Sequence, residues 1–227
     1  MQELYTQTAA SNASLNISKV LRNTYALLAM TLAWSAVTAF ISMAVGIGHG
    51  MALAMNLGAL ALLWLVLPRT ANSSAGIFVI FAFTGLLGAG LGPLLSHYLA
   101  MANGGAIVLQ ALGATALVFL ALSGYVLTTG KDFSFMGGFL FVGLVVAIIA
   151  GLGMLVAGMF GVAITGFSLA LSAMIVLLMS GFILYDTSRI IHGGVTNYLL
   201  ATVALYLDIL NLFTSLLHLI GAFSGDD

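Results

Sequence analysis

Between Arg69 and Lys131 the chain runs for 61 residues without a charged side chain. Two similar gaps flank it: 46 residues between Arg22 and Arg69, and 53 between Asp132 and Asp186. Soluble domains carry about 25% charged residues. Here Asp, Glu, Lys and Arg together make up 5% of 227 residues, and 62% are hydrophobic. So few charges cannot cover a globule of this size. A soluble enzyme, a nucleic-acid binder and a disordered protein are thereby excluded, and a net charge of -1 implies no polyanionic partner. The absence of cysteine removes disulfides, zinc–thiolate sites and thiol catalysis. What remains is an all-α membrane protein whose first partner is the lipid bilayer.

A helix crosses the hydrocarbon core in about 20 apolar residues, so each gap holds two helices. Gly46-Ile47-Gly48-His49-Gly50 splits the first into spans at 23–46 and 51–68. Ala102-Asn103-Gly104-Gly105 splits the second into 75–99 and 105–129, and glycines near Gly158 to Gly166 split the third into 134–157 and 166–190. A last apolar stretch, 198–222, follows His192-Gly193-Gly194. Seven spans result, in one transmembrane domain over 19–224. The polar, small and aperiodic residues 1–18 read as a disordered tail. They are no signal peptide, because the apolar stretch after them is too long and Glu3 stands where basic residues belong.

With the N-terminus inside, Lys19, Arg22, Arg69, Lys131 and Arg189 all fall on the cytoplasmic side, and His49, His97, Asp226 and Asp227 on the other. Random sorting gives such a split about one time in sixteen, and the positive-inside rule predicts it. The orientation expected is N-terminus cytoplasmic and C-terminus periplasmic. The third span carries Gly85, Gly88 and Gly92, with Pro93 beside them. Close helix packing explains these glycines; the alternative reading is a bend at Pro93 lining a cavity, since carbonyls freed at a kink must be satisfied by something.

An ionisable side chain inside a span is costly, about 2.5–3.5 kcal/mol for a central Asp, and marks function by default. Asp208 lies near the middle of the seventh span and Asp186 near the cytoplasmic end of the sixth. At 100° per residue, Asn211, Ser215 and His218 share a stripe with Asp208. Such a pore-lining polar stripe belongs inside the bundle and makes the C-terminal helix central. Counted from the loop at Gly193-Gly194, the depths of the two aspartates differ by roughly 10 Å, so spacing alone does not bring them together. Should they meet in a dry site, they cannot both ionise cheaply and share a proton. Deprotonated, the pair repels and offers oxygens to a hard cation such as Ca²⁺, a transient metal contact.

Enzyme motifs are weak. His49, His97 and His192 read as interfacial or loop residues, without the spacing of a metal site. Tyr185-Asp186 matches half the pattern of intramembrane aspartyl proteases, but Leu205-Tyr206-Leu207 precedes Asp208 where a GxGD is required. Ser123-Gly124 with His218 faintly resembles rhomboid proteases, except that Ala121 replaces their glycine. The chain is expected to be neither an enzyme nor a cofactor binder.

The stretch Leu184-Tyr185-Asp186-Thr187-Ser188-Arg189-Ile190-Ile191-His192-Gly193-Gly194, with Asn197-Tyr198 and Ala204-Leu205-Tyr206-Leu207-Asp208-Ile209-Leu210-Asn211-Leu212-Phe213, resembles the signature of the Bax-inhibitor (transmembrane Bax inhibitor motif) family. Phe81-Ala82-Phe83-Thr84-Gly85, Gly92-Pro93 and Lys131-Asp132-Phe133-Ser134-Phe135-Met136-Gly137-Gly138 are similar to the same family. Lys19-Val20-Leu21-Arg22-Asn23-Thr24-Tyr25 resembles its bacterial YccA-like branch. The likeness implies a seven-helix fold with a central last helix, in the bacterial inner membrane. It also implies a pH-sensitive Ca²⁺ leak governed by a carboxylate pair at Asp186 and Asp208, with Arg69, next to Pro68, as candidate latch. The branch further implies a modulator, and slow substrate, of the membrane AAA protease FtsH, gripped by the tail 1–18. Proton-gated leak and protease regulator are two readings of different class, and they are not exclusive.

Overall fold

The computed structural model describes residues 2–161 and 165–224, with side chains from Asn16 onward. Seven helices are long and apolar enough to cross a membrane: Asn16–Val45 (α1), His49–Thr70 (α2), Ala75–Leu99 (α3), Gly104–Thr129 (α4), Ser134–Met159 (α5), Thr165–Ile191 (α6) and Tyr198–Ser224 (α7). Their ends fall close to the expected ones except at the start of α1. There the backbone is helical from Gln2, where a disordered tail over 1–18 is expected. No Gly or Pro occurs before Gly46 to interrupt it. Met1 lies outside the described residues. At the far ends, α1, α4 and α6 each stop where a glycine takes positive φ: Gly46, Gly130 and Gly193.

Two helices carry irregularities traceable to proline. In α2 a π-helical turn, Leu62–Val66, precedes Pro68, and the Leu67 N–H reaches back five residues to the Leu62 carbonyl. A proline ring cannot donate and crowds the turn before it, so the wider turn relieves the crowding. In α3 the helix breaks at Leu91, between Ala75–Gly90 and Gly92–Leu99. Pro93 cannot donate to the Ala89 carbonyl, and Ser42 Oγ on α1 donates to it instead, at 2.7 Å. That side chain is the donor the proline makes necessary.

The chain forms two compact units, Met1–Ser96 with Arg189–Tyr206, and His97–Ser188 with Leu207–Asp227. The first is organised by α1 against α3. A Cβ on Gly88 would come within 2.3 Å of Thr38 Oγ1, and one on Gly92 within 2.1 Å of Ser42 Oγ. The glycines therefore set the closeness at which α1 side chains reach α3 carbonyls: Trp34 Nε1 to Phe81 at 3.0 Å and Ser35 Oγ to Thr84 at 2.7 Å. The start of α7 belongs to this unit. Asn197 Oδ1 accepts from the Leu199 N–H at 2.8 Å and caps the helix. Its Nδ2 donates to the Ala71 carbonyl at 2.8 Å.

The second unit has its core at Leu140, Ala147, Leu178, Met179, Ile183 and Leu212, from α5, α6 and α7. Gly143 and Gly181 admit Leu178 and Leu140 respectively. Half of the most apolar stretch of α7 is buried, against 11% for α5. The last helix is thus central, as expected.

Candidate functional site

Asp186 on α6 and Asp208 on α7 both lie in the second unit and are 9% and 5% exposed. The two carboxyl groups are neighbours, near enough to interact electrostatically. Helix geometry around them is set by fully buried neighbours. Ile183, Thr187 and Ser188 flank Asp186, and Leu212 lies one turn beyond Asp208. Thr187 Oγ1 donates to Ser123 Oγ on α4 at 3.3 Å, which ties the segment carrying Asp186 to a third helix. Asp208 Oδ2 is buried and takes no hydrogen bond.

Two neighbouring carboxylates in a buried place repel when both are ionised. The arrangement puts acidic side chains from two helices at one buried point. It is a poor resident metal site. Ca²⁺ takes 6–8 oxygens, and among the described residues no group of three or more His, Cys, Asp or Glu side chains converges.

The polar stripe expected along α7 is divided by the structure. Ser215 is buried. His218 is half-buried, with Nδ1 2.8 Å from Ser172 Oγ on α6. Asn211, by contrast, is exposed, and its Nδ2 donates to the Leu207 carbonyl of its own helix at 2.8 Å. A single inner polar stripe requires that α7 have one buried face. In fact Tyr206, Asp208, Ile209, Leu212, Phe213 and Ser215 are all buried, so polarity alone does not mark the inner side.

Arg69, in the first unit, is exposed and donates to the Leu65 carbonyl one turn back. His97 packs its ring edge-on against Tyr98 at 5.5 Å. A polar cluster not anticipated from the sequence lies in the first unit. Tyr206 Oη sits 2.6 Å from Ser35 Oγ and donates to the Thr84 carbonyl at 3.3 Å. Its signal was a tyrosine in an apolar span, whose hydroxyl needs a partner when buried.

Comparison with known proteins agrees with this architecture. The family described as inhibitor of apoptosis-promoting Bax1 matches residues 17–225. A membrane protein of Vibrio cholerae serotype O1 is 49% identical over 224 residues, 99% of this chain and 98% of that one. The modulator of FtsH protease YccA of Escherichia coli K12 is 45% identical over 226 residues, the full length of both chains. The inner membrane protein YccA of Escherichia coli O6:H1 matches equally. By this match along nearly its whole length, the chain belongs to the Bax1-inhibitor family of multi-pass membrane proteins.

Proposed function

We propose that the protein is an inner-membrane modulator of the AAA protease FtsH. The observation that carries this is the 45% identity, over the full length of both chains, to a relative named for that role. The polar segment 1–18, with the N-terminus cytoplasmic as the distribution of Lys and Arg favours, offers the protease an end to grip. Seven apolar helices resist being drawn out after it. A partner seized easily and extracted slowly occupies the protease and lowers its capacity for other substrates. The role needs no catalytic residue. The test is degradation of a reporter membrane protein by purified FtsH in proteoliposomes. Added wild-type protein slows it, and deletion of residues 2–18 restores the rate. An unchanged rate with the wild type defeats the proposal.

The buried, neighbouring pair Asp186–Asp208 supports a second, compatible reading: a passive Ca²⁺ leak sensitive to pH. While the pair holds its proton the two side chains stay bonded. Without it they repel, and their oxygens become ligands for a passing cation. Arg69 is the candidate latch in this reading. Ca²⁺ entry into dye-loaded liposomes, followed from about pH 5 to about pH 8, varies with pH in the wild type and flattens in Asp208→Asn. Identical curves for the two proteins exclude the pair as the gate.

A further inference from the structure

We infer that the segment Lys131–Gly138 is a clamp that sets the rotation of α6, so that Asp186 faces Asp208, with Asp132 and Ser188 as positioning residues. This deepens the leak reading and rests on it for its purpose. The geometry itself lies wholly within the second unit.

The clamp begins at Gly130, whose φ of 62° turns the chain at the end of α4. Asp132 Oδ1 then accepts from the Ser134 N–H at 2.8 Å and from Ser134 Oγ at 2.5 Å, which closes the loop on itself. The same oxygen accepts from Ser188 Oγ at 3.2 Å, and Ser188 Oγ accepts from the Phe133 N–H at 2.9 Å. Ser188, fully buried and two residues beyond Asp186, thus uses its hydroxyl in both directions to hold the loop.

Further along the segment, a Cβ on Gly137 would stand 2.9 Å from the Tyr185 ring, so this end of α5 lies against the residue before Asp186. One turn earlier on α6, a Cβ on Gly181 would meet Leu140 Cδ2 at 2.7 Å and Met136 Cε at 3.5 Å. Residues 181, 185 and 188 fall within about 60° of one another around a helix, and residue 186 points about 140° away from the first of them. The grip is therefore on the side of α6 away from the carboxyl. Holding that side by hydrogen bonds and close backbone approach fixes where the other side points.

The natural chain has no cysteine, so a pair of introduced thiols reports geometry without background. In nanodiscs, the doubly substituted protein Asp186→Cys, Asp208→Cys is treated with a short bifunctional thiol reagent and the bridging rate is followed. Adding Ser188→Ala or Asp132→Ala slows bridging about tenfold, the shift expected for losing a hydrogen bond to a charged group. Asp132→Asn, which keeps an acceptor oxygen, retains the parent rate. A control pair, Tyr98→Cys with Gly221→Cys, adjacent in the same unit and not on α6, bridges equally in every background.

Unchanged bridging at 186 and 208 in both alanine variants overturns the clamp. So does equal slowing by Asp132→Asn, or slowing of the control pair, which means that the whole unit has loosened. None of these readings involves ion flux. Failure of the leak, seen as identical flux in wild type and Asp208→Asn, is thereby distinguished from failure of the clamp.

Discussion

Tyr206 and Asn211, five residues apart on α7, show how little residue type says about role inside a membrane. Tyr206 is fully buried and bridges Ser35 and Thr84, whereas Asn211 is exposed and bonds its own helix. Tyr206→Phe is expected to destabilise the protein by about 1 kcal/mol, the usual size for a hydrogen bond between membrane helices. The loss stays moderate because Ser35 keeps its bond to the Thr84 carbonyl. Asn211→Leu is expected to change stability by less than about 0.5 kcal/mol. Denaturation midpoints in detergent compare the two, and a larger loss at Asn211 would return it to the interior. Asp186 and Asp208 were legible in the sequence because a carboxylate in a span is too costly to be incidental. Their meeting was not, since depth counted along two helices says nothing of their lean. Asn211 is exposed, because α7 is buried on more than one side and angular position on such a helix does not single out the inner face.

For the helices, boundaries other than the start of α1 were readable to within a few residues because charges and glycines mark the membrane edges, while interruptions within spans were only half visible. Pro68 and Pro93 announced a disturbance without saying what would absorb it: a wider turn in α2, a serine from α1 in α3. The second case makes a sharp prediction. Ser42→Ala alone leaves the Ala89 carbonyl without its side-chain donor and lowers stability by about 1–2 kcal/mol. In a Pro93→Ala background the residue at 93 regains an N–H for that carbonyl, and Ser42→Ala becomes nearly neutral. A double-mutant cycle by thermal denaturation measures the coupling, and additive effects would show that the serine and the proline are unrelated. The glycine contact is less forgiving. Gly88→Leu places its first carbon within 2.4 Å of the Ser35 carbonyl oxygen, and a loss of about 3 kcal/mol is expected from forcing the helices apart.

Across the whole molecule, the membrane class and the seven spans followed from the scarcity of charge, and the centrality of α7 from its polar residues. The division into two units had no sequence signal, because it falls inside continuous helices, between Ser188 and Arg189 in α6 and between Tyr206 and Leu207 in α7. Each unit draws buried residues from the last helix: Leu205 and Tyr206 for the first, Leu212 and Leu217 for the second. Removing residues 198–227 should therefore abolish cooperative unfolding of both units, measured by circular dichroism on heating. A transition retained by residues 1–96 in the truncated chain would show that the first unit does without α7. The same arrangement puts a clock on synthesis. At about 5–20 residues per second, the roughly 200 residues from α1 to α7 take about ten to forty seconds to emerge, and the helix that both units need follows the other six. Six spans must wait in the bilayer, glycine faces and serine hydroxyls provisionally paired, until α7 joins them. A stalled or shortened message yields no half-sound product. It yields two unfinished units at once, and survival in the membrane becomes a test of whether translation reached α7.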